Sequence, residues 1–234
     1  MTGMLASVSN LDEAITVQAA GADIIDLKAP AAGALGALKT DAVEEIVKRL
    51  NADTVTSATV GDLPMQPDIV QHAVDKMWAT GVDYVKIGLF PGGDWHTSIA
   101  ALKARTAIGA RLIAVFFADC DPDTKWFPEL SSAGFSGVML DTRDKRGGSL
   151  RQILNRDRLV HFVTTARQYH FLCGLAGSLR SKDIEPLLKL SPDYLGFRGA
   201  LCFRRNRVDS LDPEALRSIR EKFVELQSEP HCLF

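Results

Sequence analysis

Long apolar runs are missing from this chain of 234 residues, and so is any marked excess of one charge. No stretch approaches the roughly 18 apolar residues that a membrane span needs. The first residues also lack the basic start, apolar core and cleavage site of a secretory signal. With a formal net charge of −2, the chain has no overall field that would attract nucleic acid or anionic lipid. We therefore expect a cytoplasmic protein with no nucleic-acid partner and no membrane partner.

Clustered metal ligands and common nucleotide motifs are missing as well. The four cysteines are far apart, form no Cys-x-x-Cys pair and are best explained as free, packed thiols: Cys120, Cys173, Cys202 and Cys232. The five histidines show no His-Glu-x-x-His spacing. No Gly-x-Gly-x-x-Gly, Gly-x-Ser-x-Gly or P-loop pattern is found. We therefore expect no metal site.

The chain does contain a regular alternation of short apolar segments with longer amphipathic ones. The apolar segments predict eight strands at residues 5–8, 24–27, 55–59, 84–88, 112–117, 137–140, 172–175 and 194–197. Helical periodicity follows each strand and predicts helices at about 10–20, 42–50, 69–79, 95–103, 125–133, 157–169, 182–190 and 213–226. Asn10 or Ser9 is expected to cap the first of these helices, and Asp94 the fourth.

Eight strand–helix units in this length match a single closed (β/α)8 TIM barrel with little decoration. We place the barrel at residues 1–228 and a C-terminal tail at residues 229–234. An open doubly wound sheet is the alternative, but the first strand is not followed by the glycine motif that would support it. No linker, low-complexity tract or internal repeat divides the chain.

The ends of the predicted strands are unusually polar. In a TIM barrel the active site lies at the C-terminal ends of the strands. The residues that fall there are Asp26 and Lys28 at the end of strand two, Ser57, Thr59 and Asp62 at the end of strand three, Lys86 in strand four, Asp119 after strand five, Asp141 and Lys145 after strand six, Gly177 and Ser178 after strand seven, and Arg198 and Gly199 after strand eight.

Asp26 and Lys28 share a face of their strand, because side chains two residues apart point the same way. A lone lysine in a strand usually extends to solvent, and a structural ion-pair network is the alternative explanation. Two lysines, Lys28 and Lys86, together with aspartates on one rim favour a catalytic site. Burial and neighbouring cations lower a lysine pKa, and the neutral amine can then attack a carbonyl carbon to form a Schiff base.

The last two strand ends are candidates for phosphate binding. Gly177 and Ser178, with Arg198 and Gly199, offer backbone N–H groups, a hydroxyl and a guanidinium at the position where TIM barrels often bind phosphate. Tight turns with a surface arginine are the alternative. The arginine-rich segment 204–207 could reach a phosphate, but we expect a solvated loop there.

Seven segments together resemble the (5-formylfuran-3-yl)methyl phosphate synthase family, also called 4-(hydroxymethyl)-2-furancarboxaldehyde-phosphate synthase. They are residues 22–30 (ADIIDLKAP), 33–37 (GALGA), 57–62 (SATVGD), 84–89 (YVKIGL), 139–142 (MLDT), 175–178 (LAGS) and 196–200 (GFRGA). They run in order from the first strand region to the last. Residues 146–149 and the arginine-rich segment after Ala200 depart from the family pattern.

The resemblance implies a TIM-barrel lyase of methanofuran biosynthesis that condenses two molecules of glyceraldehyde 3-phosphate and releases phosphate and water. It implies that Lys28 is the Schiff-base lysine and that Asp26, Lys86, Asp141 and Lys145 complete the catalytic set. An imine on Lys28 would make the adjacent carbon acidic, so that no external cofactor is required. The predicted substrate- and phosphate-binding residues are Ser7, Ser57, Thr59, Gly177, Ser178, Arg198 and Gly199.

Two alternatives remain from the residues alone. One is another class I aldolase that forms an imine with a different sugar phosphate. The other is a barrel that binds phosphate without catalysis. The sequence leaves open whether the chain is a monomer or a homo-oligomer.

Overall fold

Eight parallel strands close into a barrel in the structure, a computed structural model that describes residues 1–228. The strands follow chain order around the ring, and the first pairs with the last. They are β1 Gly3–Val8, β2 Ile24–Leu27, β3 Val55–Thr59, β4 Tyr84–Gly88, β5 Leu112–Phe117, β6 Gly137–Asp141, β7 Leu172–Leu175 and β8 Tyr194–Phe197. The predicted TIM barrel is therefore confirmed, and the alternative of an open sheet is wrong. The predicted tail at 229–234 lies outside the described residues.

Helices cover the outside of this barrel. They are α1 Leu11–Ala19, α2 Thr40–Arg49, α3 Pro67–Trp78, α4 Trp95–Ala107, α5 Phe127–Ser132, α6 Leu150–Ile153, α7 Arg156–Gln168, α8 Ser181–Leu188 and α9 Pro213–Ser228. Short 3₁₀ segments lie at Pro30–Ala32, Ala118–Cys120, Thr124–Trp126, Gly199–Leu201 and Phe203–Arg205. No helix in residues 1–228 is both long enough and apolar enough to cross a membrane.

The strand predictions hold with two adjustments. β1 begins at Gly3, two residues before the predicted start, because the N–H of Gly3 donates to the carbonyl of Asp193 at 2.7 Å and extends the pairing with β8. β6 runs one residue further than predicted, to Asp141, which pairs in register with Phe117 on β5. The second adjustment carries Asp141 into the sheet itself.

The helix predictions are confirmed in number and order, except for one short helix and several boundaries. The side chains of Asn10 and Asp94 accept the backbone N–H groups of Glu13 and Thr97, as expected of helix caps. α3 begins at Pro67, because proline suits the first helical turn. The segment predicted as one helix at 125–133 divides into a 3₁₀ turn and the short α5, and α6 was not predicted.

Side chains alternate across the sheet between two apolar clusters. Along β5, residues 113, 115 and 117 belong to the cluster inside the barrel, whereas residues 112, 114 and 116 belong to the layer between the sheet and the helices. The interior cluster ends before the C-terminal mouth, where buried polar side chains take its place: Ser7, Asp26, Ser57, Lys86 and Asp141. Buried charge is costly unless it is paired, so this layer of buried polar side chains marks the candidate functional site.

Candidate active site

A cavity of about 310 Å³ opens at the C-terminal ends of the strands. Two carboxylates line it, those of Asp26 and Asp141. The cationic side chains that line it are more numerous: Lys28, Lys86, Lys145, Arg146, Arg180, Arg198, Arg205 and Arg207. Such a concentration of positive charge, in a chain with a net charge of −2, is typical of a site for anionic ligands.

Asp26 has hydrogen-bond and ion-pair partners on the neighbouring strands. Ser7 on β1 and Ser57 on β3 lie directly beside it in the sheet, and their hydroxyls donate to its two carboxylate oxygens at 2.7 and 2.8 Å. Lys86 Nζ lies 2.5 Å from Oδ1. Burial acts to raise the pKa of Asp26, but the charges of Lys86 and Lys28 and these hydrogen bonds lower it below its ordinary value. Asp26 is therefore a buried, fully bonded anion.

Asp141 forms a second, separate ion pair. Lys145, four residues further on, places Nζ 2.6 Å from Oδ1 of Asp141, and the N–H of Thr142 donates to the same oxygen at 2.7 Å. Burial again acts to raise the pKa of the carboxyl, while the charges of Lys145 and Lys28 and these hydrogen bonds lower it. Asp141 is thus held ionised at the wall of the cavity.

Lys28 differs from Lys86 and Lys145 because no carboxylate lies within hydrogen-bonding distance of its amine. Its side chain is 6% exposed, and the distance from Nζ to Oδ2 of Asp141 is 4.0 Å. Among residues 1–228 the Nζ group forms no hydrogen bond. Burial lowers the pKa of Lys28 to about 8, reinforced by the charges of Lys145 and Lys86 and opposed by those of Asp141 and Asp26. At pH 7 about a tenth of the amine is therefore neutral.

The turn after β7 lines the cavity with Gly177, Ser178 and Leu179. Gly177 has φ of +108°, and a Cβ there would lie 2.7 Å from the side chain of Thr142, so glycine is needed at this position. Ser178 is also left-handed, with φ of +49°, and its hydroxyl donates to the carbonyl of Lys145 at 3.3 Å. The N–H groups of Gly177, Ser178 and Leu179 find no acceptor within the described part of the chain. They are free to bind an anion.

The guanidinium of Arg198 is bonded within the protein, whereas the sequence predicted that it binds phosphate. Its guanidinium donates to both carboxylate oxygens of Glu13, the shorter bond being 2.6 Å. It also donates to the carbonyls of Ser7, Arg207 and Asp209 at 3.2, 2.9 and 3.0 Å. Arginine has five N–H donors, and all five are used here. The sequence alone could not reveal this, because Glu13 is 185 residues away along the chain.

Several predicted binding residues instead hold the site together. The hydroxyls of Ser7 and Ser57 are bonded to Asp26, and Thr59 donates to the carbonyl of Gly36 and does not line the cavity. Asp62 accepts two backbone N–H groups of the loop after β2, and Asp119 accepts two of the loop after β6. Both are exposed and outside the cavity, so they fix loops.

The arginine-rich segment is only partly the solvated loop that we expected. Arg204 is exposed and pairs with Asp209 at 3.2 Å. Arg205 and Arg207 line the cavity, and Gly199 lines it as well. The tertiary fold, not the local sequence, brings these two residues to the cavity.

Arg146 and Arg180 line the cavity as well. Neither was predicted as a binding residue, although Arg146 lies in the segment 146–149 that departs from the family pattern. Arg180 is half-buried and forms no ion pair within residues 1–228. Its place two residues after Ser178, just before α8, was a usable signal, because the turn after β7 was already a candidate for phosphate binding. Nowhere in residues 1–228 do three or more His, Cys, Asp or Glu side chains gather as metal ligands would.

Solved structures with similar folds are TIM-barrel enzymes. Phosphoribosyl anthranilate isomerase from Thermus thermophilus superposes with a TM-score of 0.65 at 14% identity, covering 97% of this chain and 100% of that one. The 3-hexulose-6-phosphate synthase of Salmonella typhimurium gives 0.64 at 17% identity, covering 96% and 100%. At these identities the likeness shows the fold alone.

Sequence relatives are much closer. A protein of Methylorubrum extorquens is 42% identical over 209 residues, which are 89% of this chain and 86% of that one. The (5-formylfuran-3-yl)methyl phosphate synthase of Methanopyrus kandleri is 34% identical, covering 87% and 91%. The synthase of the same name from Methanothermobacter thermautotrophicus is 30% identical, covering 93% and 97%. The family model for 4-HFC-P synthase matches residues 4–220, and this chain therefore belongs to the 4-HFC-P synthase family.

Proposed function

We propose that this chain is a (5-formylfuran-3-yl)methyl phosphate synthase, a cytoplasmic lyase of methanofuran biosynthesis that joins two glyceraldehyde 3-phosphates through an imine on Lys28. The observation that carries this proposal is the state of Lys28. Its amine is buried, lines the cavity, has a pKa lowered to about 8 and lacks a hydrogen-bonded carboxylate. These are the properties of a lysine nucleophile.

An imine on Lys28 would make both required reactions possible, the elimination of phosphate and the formation of the carbon–carbon bond. The neutral amine of Lys28 attacks the aldehyde carbon of a triose phosphate, and loss of water leaves a protonated imine. This electron sink acidifies the C–H on the adjacent carbon, so the phosphate on the next carbon can leave by β-elimination. The carbon that carried the phosphate is then the nucleophilic end of an enol, and it can add to the carbonyl of the second triose phosphate once that molecule has isomerised to its ketose form. Ring closure completes the furan. The balance is one phosphate and two waters released for each furan formed.

Proton transfer is assigned first to Asp141. Its carboxylate is the nearest one to Lys28, at 4.0 Å, and it is bonded to Lys145, which can return a proton. Asp26 is less available, because Ser7, Ser57 and Lys86 occupy its oxygens. The pair of Asp26 and Lys86 would then hold a fixed charge beneath the reacting carbons.

The phosphate of the imine-bound triose phosphate is assigned to the turn after β7. The unbonded N–H groups of Gly177, Ser178 and Leu179 and the half-buried guanidinium of Arg180 support this assignment. Backbone N–H groups in a left-handed turn form a concave anion site, and an adjacent guanidinium strengthens it. The turn directs the phosphate toward the strand ends, where Lys28 lies.

Incubation with glyceraldehyde 3-phosphate tests the proposal. We expect an ultraviolet furan chromophore, release of one phosphate per furan, and a borohydride-stable adduct that mass spectrometry assigns to Lys28. Reversible formation of a hexose bisphosphate without a furan would identify a different aldolase. A barrel that only binds phosphate would give no adduct.

A further inference from the structure

We infer that Arg205 and Arg207 bind the phosphate of the second triose phosphate, the one that is not attached to Lys28. The inference rests on the proposed function and adds a second anion site to it. Both side chains line the cavity together with the turn after β7, where the first phosphate is assigned. They belong to the loop between β8 and α9, which closes that side of the mouth.

Arg207 is held in place and still has donors to spare. It is half-buried, and its Nη2 donates to the carbonyl of Gly33 in the loop after β2 at 2.8 Å. That bond uses one of five N–H donors, and within residues 1–228 the others have no protein acceptor. Burial lowers the pKa of Arg207, while the charges of Asp141 and Asp62 oppose that shift. A carboxylate of the reacting centre is thus close enough to influence Arg207.

The backbone of the loop directs its neighbouring arginines to different places. Arg204 and Arg205 have φ of +53° and +55°, a left-handed conformation that is unfavourable at a non-glycine residue. The result is that Arg204 turns outward to Asp209, whereas Arg205 lines the cavity. Arg205 has no acidic partner in the part of the chain that the structure describes. The left-handed backbone thus accompanies the placement of a residue without an acidic partner at the cavity.

A buried clamp fixes the position of this loop. Arg198 holds the carbonyls of Arg207 and Asp209 while it is paired with Glu13. Glu13 also accepts the N–H of Leu211 at 3.3 Å. The clamp joins β1, α1, β8 and the loop through one ion pair. Arg198 is therefore a positioning residue for the second phosphate site, with no free donor of its own.

Charge balance supports two phosphates in one cavity. Each phosphate monoester carries about −1.5 to −2 charges at neutral pH. A single phosphate in the turn after β7 would leave the guanidinium groups of Arg205 and Arg207 without a counter-charge. Arginine binds phosphate through paired N–H donors, so two neighbouring guanidinium groups with free donors suit a second phosphate.

The test compares three substitutions in the same loop: Arg205→Gln, Arg207→Gln and, as a matched control, Arg204→Gln. Each removes one positive charge, but Arg204 does not line the cavity. For Arg205→Gln and Arg207→Gln we expect the KM for furan formation to rise by about tenfold or more, the equivalent of one or two charged hydrogen bonds. Arg204→Gln should remain within about twofold of the parent.

Borohydride trapping separates the second site from the first. Because the first triose phosphate uses the turn after β7, the yield of adduct on Lys28 should remain within about twofold in all three variants. If Arg205→Gln and Arg207→Gln give the same KM as Arg204→Gln, the inference is overturned. Arg205 is exposed, so its variant folds even if Arg207→Gln does not. If the parent protein itself yields neither adduct nor furan, the proposed function fails instead.

Discussion

Lys86 Nζ lies 2.5 Å from Oδ1 of Asp26, and this ion pair joins β4 to β2 across the intervening β3. Asp26 lies two residues from Lys28 in the sequence, but its carboxylate is paired with Lys86. The nearest carboxylate to Lys28 is then that of Asp141, on β6, at 4.0 Å. The three lysines of the site are therefore unequal: Lys86 and Lys145 are bonded to aspartates, whereas the amine of Lys28 forms no hydrogen bond within residues 1–228.

Replacing Lys28 by arginine should abolish the reaction while the positive charge stays. A guanidinium remains protonated and cannot form an imine. We expect furan formation to fall by about a thousandfold or more, because nucleophilic catalysis is removed entirely. The measurement is the ultraviolet assay together with borohydride trapping. Lys103→Arg, at an exposed position on α4, is the control and should leave both unchanged. Substantial activity in Lys28→Arg would refute the imine mechanism.

Replacing Lys28 by methionine should stabilise the fold. The pKa of Lys28 is lowered from 10.5 to about 8, so its protonated form is disfavoured in the folded state. A shift of this size corresponds to about 3 kcal/mol at most. Because the folded pKa lies below the unfolded value, this cost is fully present below pH 8 and disappears as pH rises toward 10.5. Lys28→Met should thus raise the free energy of unfolding at pH 7.

Denaturant unfolding at several pH values measures this effect. The gain from Lys28→Met should be largest near pH 7 and shrink above pH 8. Lys103→Met, which removes an exposed lysine, should change stability by less than about 0.5 kcal/mol. A stability gain that does not depend on pH would contradict the assigned shift.

The strands and the rim could be predicted because their signals are local. Short apolar segments between amphipathic ones mark the strands, and the barrel then places the residues that follow each strand at one mouth. Lys28 and Asp141 were found by this reasoning. The roles of Arg198 and Thr59 could not be found, because their partners, Glu13 and Gly36, meet them only through the tertiary fold.

The two buried charges of β2 and β4 should prove strongly coupled. Lys86→Met leaves the carboxylate of Asp26 buried without its cation, and breaking a buried pair in this way costs about 3–5 kcal/mol. Asp26→Asn leaves Lys86 buried without its anion. The double variant removes both charges, so its loss should be smaller than the sum of the single losses by about 1–3 kcal/mol.

A surface pair gives the matched comparison for this cycle. Glu44 and Lys48 pair on α2, with side chains 50% and 69% exposed. The cycle of Glu44→Gln and Lys48→Met should give a coupling of only about 0.5 kcal/mol or less. Equal coupling in the two cycles would mean that Asp26 and Lys86 are not held as a desolvated pair. Urea unfolding of the parent and the three variants of each cycle gives the coupling energies.

The pH dependence of imine formation should move in opposite directions when the two members of the Asp141–Lys145 pair are changed. The charge of Asp141 raises the pKa of Lys28, and that of Lys145 lowers it. Asp141→Asn should therefore shift the rise of the imine-forming rate to lower pH. Lys145→Gln should shift it to higher pH, because it removes a cation and also frees the negative charge of Asp141.

Timed samples quenched with borohydride give this rate from about pH 6 to 10, with the parent midpoint expected near the Lys28 pKa of about 8. The position of each curve is compared, not its height, since both substitutions also lower the maximal rate if the pair transfers protons. Glu44→Gln, far from the cavity on α2, should leave the midpoint unchanged. Shifts of the same sign in Asp141→Asn and Lys145→Gln would mean that the pair acts on something other than the charge of Lys28.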